Sequence, residues 1–222
     1  MNEIAHARPR GLEEVAARLS RLPADKQAEF LRRLVERGIP LARLPLVPLA
    51  RDGDPPLSFA QSRLWFLWRL DPASAAYNLH LSFRLTGDLD REALAGAFTD
   101  LVARHESLRT TFGDVAGEPF QRIADAVPIR IEERDLSALP SPEREQTART
   151  AIADEANTPF DLTKGPLLRV GLLRLGPAEH LLLLTVHHIV ADGWSLQIAL
   201  AELLAFYRAR TSGERLALAP RS

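Results

Sequence analysis

The sequence has 222 residues, of which 46% are hydrophobic and 26% charged, with a formal net charge of -1. That apolar share supports a packed core and excludes wholesale disorder, and the near-zero charge argues against a nucleic-acid binder with its basic stripe. With no cysteine, disulfides, thiolate metal sites and a cysteine nucleophile are excluded. The apolar stretch Leu181 to Val186 is far shorter than the roughly 20 residues of a membrane span. Met1 to Arg10 carries Glu3, Arg8 and Arg10 and no apolar centre, so no signal peptide is expected. A soluble, cytoplasmic protein that binds neither membrane nor nucleic acid is the expectation.

In chain order, Leu12, Val15, Leu19 and Leu22 recur at spacings of three and four, predicting a helix over 11–22 that Pro23 interrupts. Asp25 opens a second helix with Phe30, Leu31, Leu34 and Val35 inward, closed by Gly38 and Pro40. Pro40, Pro45, Pro48, Pro55 and Pro56 mark an extended linker, and the domain boundary is placed near residue 50. Beyond it, 58–69 reads as a helix capped by Ser58, with Trp65, Phe66 and Trp68 as core residues. Tyr77 to Thr86 alternates as a half-buried strand. Asp88 to His105 is a helix burying Leu94, Ala97, Phe98, Leu101 and Val102. Thr110 to Ile123 is a hairpin turning at Asp114 to Gly117. Val127 to Arg134 alternates again, and 142–156 is a polar helix. Apolar strands cover 167–175 and 180–187, split by Gly176-Pro177. A long helix follows over 193–211, burying Leu196, Leu200, Leu203, Leu204 and Tyr207. Strands separated by helices, some in hairpins, predict a mixed α+β sheet.

The most informative stretch is Thr185-Val-His-His-Ile-Val-Ala-Asp-Gly-Trp194, where an apolar strand meets a helix. Adjacent strand side chains point to opposite faces, so His187 and His188 cannot easily grip one metal ion. Two structural histidines at a strand end would be the plainer reading. The sharper one is a single catalytic imidazole, exposed at the strand's end and able to accept a proton near neutral pH, with its neighbour facing inward to fix the loop. Asp192 suits the orphan N–H groups of a helix start, or pairs with a buried arginine. Gly193 lets a substrate approach the backbone, and the N–H groups beside it favour an oxyanion. Ser195 follows Trp194 and lacks the Gly-x-Ser-x-Gly pattern of a nucleophile, so direct transfer between two bound substrates is the natural chemistry.

His187-His188-Ile-Val-Ala-Asp192-Gly193 resembles the HHxxxDG motif of condensation domains from nonribosomal peptide synthetases, shared with chloramphenicol acetyltransferases. Ser58-Phe-Ala-Gln-Ser-Arg-Leu-Trp65-Phe-Leu67 resembles the family's first core motif, and Arg104-His-Glu-Ser-Leu-Arg109-Thr-Thr-Phe112 its second. Pro159-Phe-Asp-Leu162 followed by Gly165-Pro-Leu-Leu-Arg169 is also similar to the family. The resemblance implies a chloramphenicol-acetyltransferase-like lobe with a largely antiparallel sheet, occupying 51–222, the N-terminal one of a V-shaped pair. The family's later motifs do not occur in the sequence, so a C-terminal lobe is expected to be missing and this lobe alone to be weakly active or inactive. The implied activity is amide formation between a donor acyl or peptidyl thioester and an acceptor aminoacyl thioester. Both ride on 4'-phosphopantetheine arms supplied by upstream and downstream carrier proteins, and this chain binds no cofactor or metal itself.

The same resemblance makes His188 the residue that orients or deprotonates the amine. Asp192 becomes structural, salt-bridged to an arginine for which Arg104 is the candidate and a residue of the missing lobe the alternative, and Gly193 lines the channel. Arg109, Trp194 and Ser195 count with Arg104 as structural or channel residues. Unaided, Arg104, Glu106 and Arg109 read as a solvated helix end. The first motif is closer to the type accepting L-configured donors, and the two histidines disfavour the cyclising relatives. Residues 1–50 are a helical linker or a docking segment for an upstream synthetase, Met1 suggesting a chain start. The alternatives are a non-catalytic recruiting module on the same fold, which typically loses a motif histidine, and a stand-alone acyltransferase.

Overall fold

The computed structural model describes residues 10–45, 53–213 and 218. The chain divides into two compact units, 1–53 and 54–221. In the first, α1 (Arg10–Ser20) and α2 (Ala24–Glu36) are separated by a turn ending at Pro23, which precedes the first residue of α2. Gly38, at φ 73°, turns the chain out of α2, and the Ile39 amide reaches back to Leu34 O. Leu34 is buried as expected, but Val35 is 57% exposed, because consecutive residues lie about 100° apart around a helix and Val35 falls outside the buried stripe.

The second unit holds α3 (Phe59–Leu70), β1 (Asn78–Thr86), α4 (Arg91–Arg104), β2 (Thr110–Val115), β3 (Glu118–Ile123), β4 (Ile131–Asp135), α5 (Ser141–Asn157), β5 (Leu168–Gly176), β6 (Glu179–His187) and α6 (Gly193–Ser212). Four strands form a mixed sheet in the order β1-β6-β5-β4, antiparallel except for the parallel pair β4–β5. The α+β class expected from the pattern is the one found. β2 and β3 form a separate hairpin whose turn places Ala116 and Gly117 in the left-handed region, the geometry of the tight hairpin connection.

Side-chain alternation explains why β5 and β6 are apolar on both faces. Leu182, Leu184 and Val186 on β6 and Leu168, Val170 and Leu172 on β5 join the main core with Phe98, Leu101 and Val102 of α4 and Leu203 and Phe206 of α6. Leu181 and Leu183 with Leu173 and Leu175 point the other way, onto Ala148 and Ala151 of α5. Central strands covered on both faces lose the polar half of their alternation, whereas the edge strand β1 keeps it.

Ser58 caps α3 through a reciprocal bond pair with Gln61. Trp65 of α3 is buried, but Phe66 is 61% exposed, and on α6 Leu204 is 55% exposed. Each sits beside a buried neighbour on a helix that covers the core with one face only. The β4 strand begins at Ile131, later than the alternation suggests, and Val127 and Ile129 pack partly buried on the core from irregular backbone.

Candidate functional site

β6 ends at His187, and His188 opens the turn that follows it. His187 is 3% exposed, whereas His188 is exposed. The backbone fixes the position of both: His187 N–H donates to Leu167 O at 3.1 Å and His188 N–H to Tyr77 O at 2.9 Å. A tight turn follows, in which Val190 N–H donates to His187 O at 3.1 Å, and Ile189, Val190 and Ala191 are buried.

The inward imidazole pins that turn. His187 Nδ1 accepts from Ile189 N–H at 3.1 Å, so the ring proton resides on Nε2. The ring lies edge-on to Phe160, with centroids 6.1 Å apart, and beside Tyr77 at 6.4 Å. Burial, and then the neighbouring His188 charge, hold its pKa down from 6.5 to about 4. The ring therefore stays neutral in the native state at pH values where the unfolded histidine takes up a proton. The unfolded state then binds more protons between pH 4 and 6.5, so stability rises with pH across that window and is lost as pH falls through it. Between about pH 7.5 and pH 5 the expected loss is about 2 kcal/mol from this residue. His187→Asn, whose side-chain oxygen can replace Nδ1 as acceptor, removes that contribution. Urea unfolding at the two pH values checks it, and an identical pH dependence in the variant overturns it.

Asp192 is the N-cap of α6. Its Oδ1 accepts from Ser195 N–H at 2.7 Å and from the Ser195 hydroxyl, and its own N–H donates to Ser195 Oγ at 3.0 Å. These bonds hold its carboxyl below the usual carboxylate range, with a smaller contribution from a positive His188. The expected pairing with Arg104 is not made. Arg104 Nε lies 3.1 Å from Glu202 Oε2, which His105 Nε2 also meets at 2.6 Å, so the second motif ties α4 to the middle of α6 rather than to its start. Asp192 instead forms a reciprocal cap with Ser195, three residues into the helix. Gly193 has nothing within 4 Å of the place a Cβ would take, so the site is open there. Trp194 is 74% exposed beside it.

Arg109 is away from this cluster. Its guanidinium donates to Ala124 O and lies 3.7 Å from Glu106, closing the end of β3 against the turn after α4. Arg104 and Arg109 are thus largely covered, with side chains 19% and 15% exposed, and are not a solvated helix end.

Several residues that sequence reasoning passed over serve the site. Gln61 Nε2 donates to Gln121 Oε1 at 3.0 Å and to Ile189 O at 3.4 Å, which ties the first motif to the histidine turn. Phe160 O accepts from Trp68 Nε1 at 3.0 Å. Glu202 carries no motif signal, because its partners lie nearly a hundred residues away in sequence. The Asp192-x-x-Ser195 spacing at a helix start was the readable cue to the cap. Among the described residues, no group of three or more His, Asp or Glu is placed to hold a metal ion.

Residues 52–222 match the family model described as Condensation domain. Among curated proteins, the chain is 44% identical over 192 residues to a component of the linear gramicidin synthase of Brevibacillus parabrevis, covering 86% of this chain and 2% of that protein. It is 41% identical over 211 residues to phosphinothricin tripeptide synthetase PhsC of Streptomyces viridochromogenes, covering 94% of this chain and 19% of that protein. Among solved structures, the first condensation domain of the calcium-dependent antibiotic synthetase, in complex with a substrate analogue, superposes with a TM-score of 0.68 at 30% identity, over 76% of this chain and 40% of that one. The X-domain in complex with OxyB from teicoplanin biosynthesis gives 0.70 at 35% identity, over 78% and 36%. The chain therefore spans only a small part of the curated relatives and about two fifths of the solved chains.

Proposed function

The chain belongs to the condensation-domain family, and from that premise we propose that residues 51–222 are the N-terminal lobe of a domain that joins a donor acyl or peptidyl thioester to an acceptor aminoacyl amine. The acceptor nitrogen attacks the thioester carbonyl, the C–N bond forms, the C–S bond breaks, and the thiol stays on the donor carrier's phosphopantetheine arm. His188 orients the amine or takes its proton. The observation that carries this reading is the split of the histidine pair: one imidazole buried, neutral and bonded to the turn, the other exposed at the strand end. The open space at Gly193 admits the reacting carbonyl, and the N-terminal end of α6 favours negative charge developing on its oxygen.

Both substrates must be held within roughly 3–3.5 Å of each other, which one wall of a channel cannot do. The opposing wall is assigned to a second lobe, and residues 1–50 to a linker preceding the first. The test is condensation of two carrier-bound thioesters by this chain and by the two-lobed domain. The chain alone is expected to be at least about tenfold slower. Comparable rates would overturn the need for a second lobe, and no amide product from the two-lobed domain would overturn the function.

The second reading, a recruiting module that binds a partner enzyme, is favoured by the 35% identity to the X-domain solved with OxyB. The intact pair His187 and His188 favours the catalytic reading over it.

A further inference from the structure

The end of α5 carries no basic residue in its last turn, so its orphan carbonyls are served from elsewhere. Asn78 Nδ2 donates to Ala156 O and Thr158 O at 2.9 and 2.8 Å. Arg169 of β5 does more. One terminal nitrogen donates to Glu155 O and Thr158 O at 3.0 and 2.8 Å, the other reaches Pro159 O at 3.4 Å, and Nε meets Glu155 Oε1 at 2.7 Å. The same guanidinium lies 3.9 Å from the centroid of the Phe160 ring. Phe160 is buried, its carbonyl is held by Trp68, and its ring stands edge-on to His187. Arg169 is the cross-strand partner of Thr185, two residues before His187 on the same face of the sheet.

Guanidinium, phenyl ring, imidazole and turn thus form one packed series. We propose that Arg169 is a positioning residue for the histidine site: through Phe160 it fixes the plane of the His187 ring, and through the Nδ1 bond to Ile189 it fixes the turn that presents His188. The catalytic consequence rests on the function proposed above; the structural one does not. Lysine cannot substitute, because a single ammonium cannot reach several carbonyls as a planar fork while stacking on the ring.

The test compares Arg169→Lys, Phe160→Leu and the control Val170→Ala, which opens a cavity on the other face of β5. Ring nitrogen NMR reads the His187 tautomer in the 222-residue chain, and amide hydrogen exchange reads Ile189. Both site variants are expected to mix the His187 tautomers and speed Ile189 exchange about tenfold relative to the control. In the two-lobed domain, kcat should fall about tenfold with KM changed less than about twofold. Unchanged His187 signals and Ile189 exchange in either site variant that folds overturn the proposal, as does an equal change in Val170→Ala. Altered signals in a two-lobed domain whose unsubstituted form makes no amide leave the positioning role standing and remove the proposed function instead.

Discussion

Replacing His188 with alanine in the two-lobed domain is expected to lower the rate of amide formation by about 10²–10⁴-fold, the range a positioned proton-transfer group supplies. The fold should not notice. The side chain is exposed, and the bond that holds this residue in the strand end is its backbone N–H to Tyr77 O, which alanine keeps. The thermal midpoint should therefore correspond to a change within about 0.5 kcal/mol. Single-turnover rates with both carriers loaded, read beside a melting curve, separate the two effects. A rate within about twofold of the unsubstituted domain sinks the catalytic assignment and leaves the recruiting one.

The second large effect is on stability. Phe98 sits at the centre of α4 with its side chain fully buried, packed in the cluster that includes Leu182 and Leu184 of β6 and Phe206 of α6. Phe98→Ala removes the transfer energy of a whole ring and leaves a cavity between a helix layer and the sheet, at a cost of about 3–5 kcal/mol. In a domain whose total stability is about 5–15 kcal/mol, that moves the thermal midpoint down by about 6–20 °C. Urea unfolding of the variant checks it, and a loss below about 1 kcal/mol would mean that the core seals around the gap.

Much of this was legible before any coordinates. The α4 stripe was readable because a helix covering a sheet must repeat its apolar residues every three to four positions, and all five named residues are buried. That one histidine of the pair would be exposed and the other inward was readable from the motif at a strand end, but β6 is buried on both faces, and what exposes His188 is the turn that it opens. What local pattern cannot encode is distance along the chain. The pairing of β1 with β6 joins residues about a hundred positions apart, and nothing in either strand names the other. Arg104 illustrates the same limit: an arginine awaiting a carboxylate was matched to Asp192 when Glu202 held it. Phe66 and Leu204 failed for a different reason. Their apolar character says that they can be buried, while the width of the face each helix presents decides whether they are.

The leucine run at the heart of β6, Leu181 to Leu184, gives its two faces the same chemistry, yet the two histidines at the strand's end have fixed and opposite surroundings. Sliding this strand by a single position against β1 and β5 would cost little where leucine replaces leucine. In one direction the slip would carry His187 to the outside; in the other it would drive that ring into the place of Val186, against the α4–α6 layer. The nine residues Glu179–His187 therefore act as a ruler of fixed parity: length, more than composition, is what they cannot change without inverting the site.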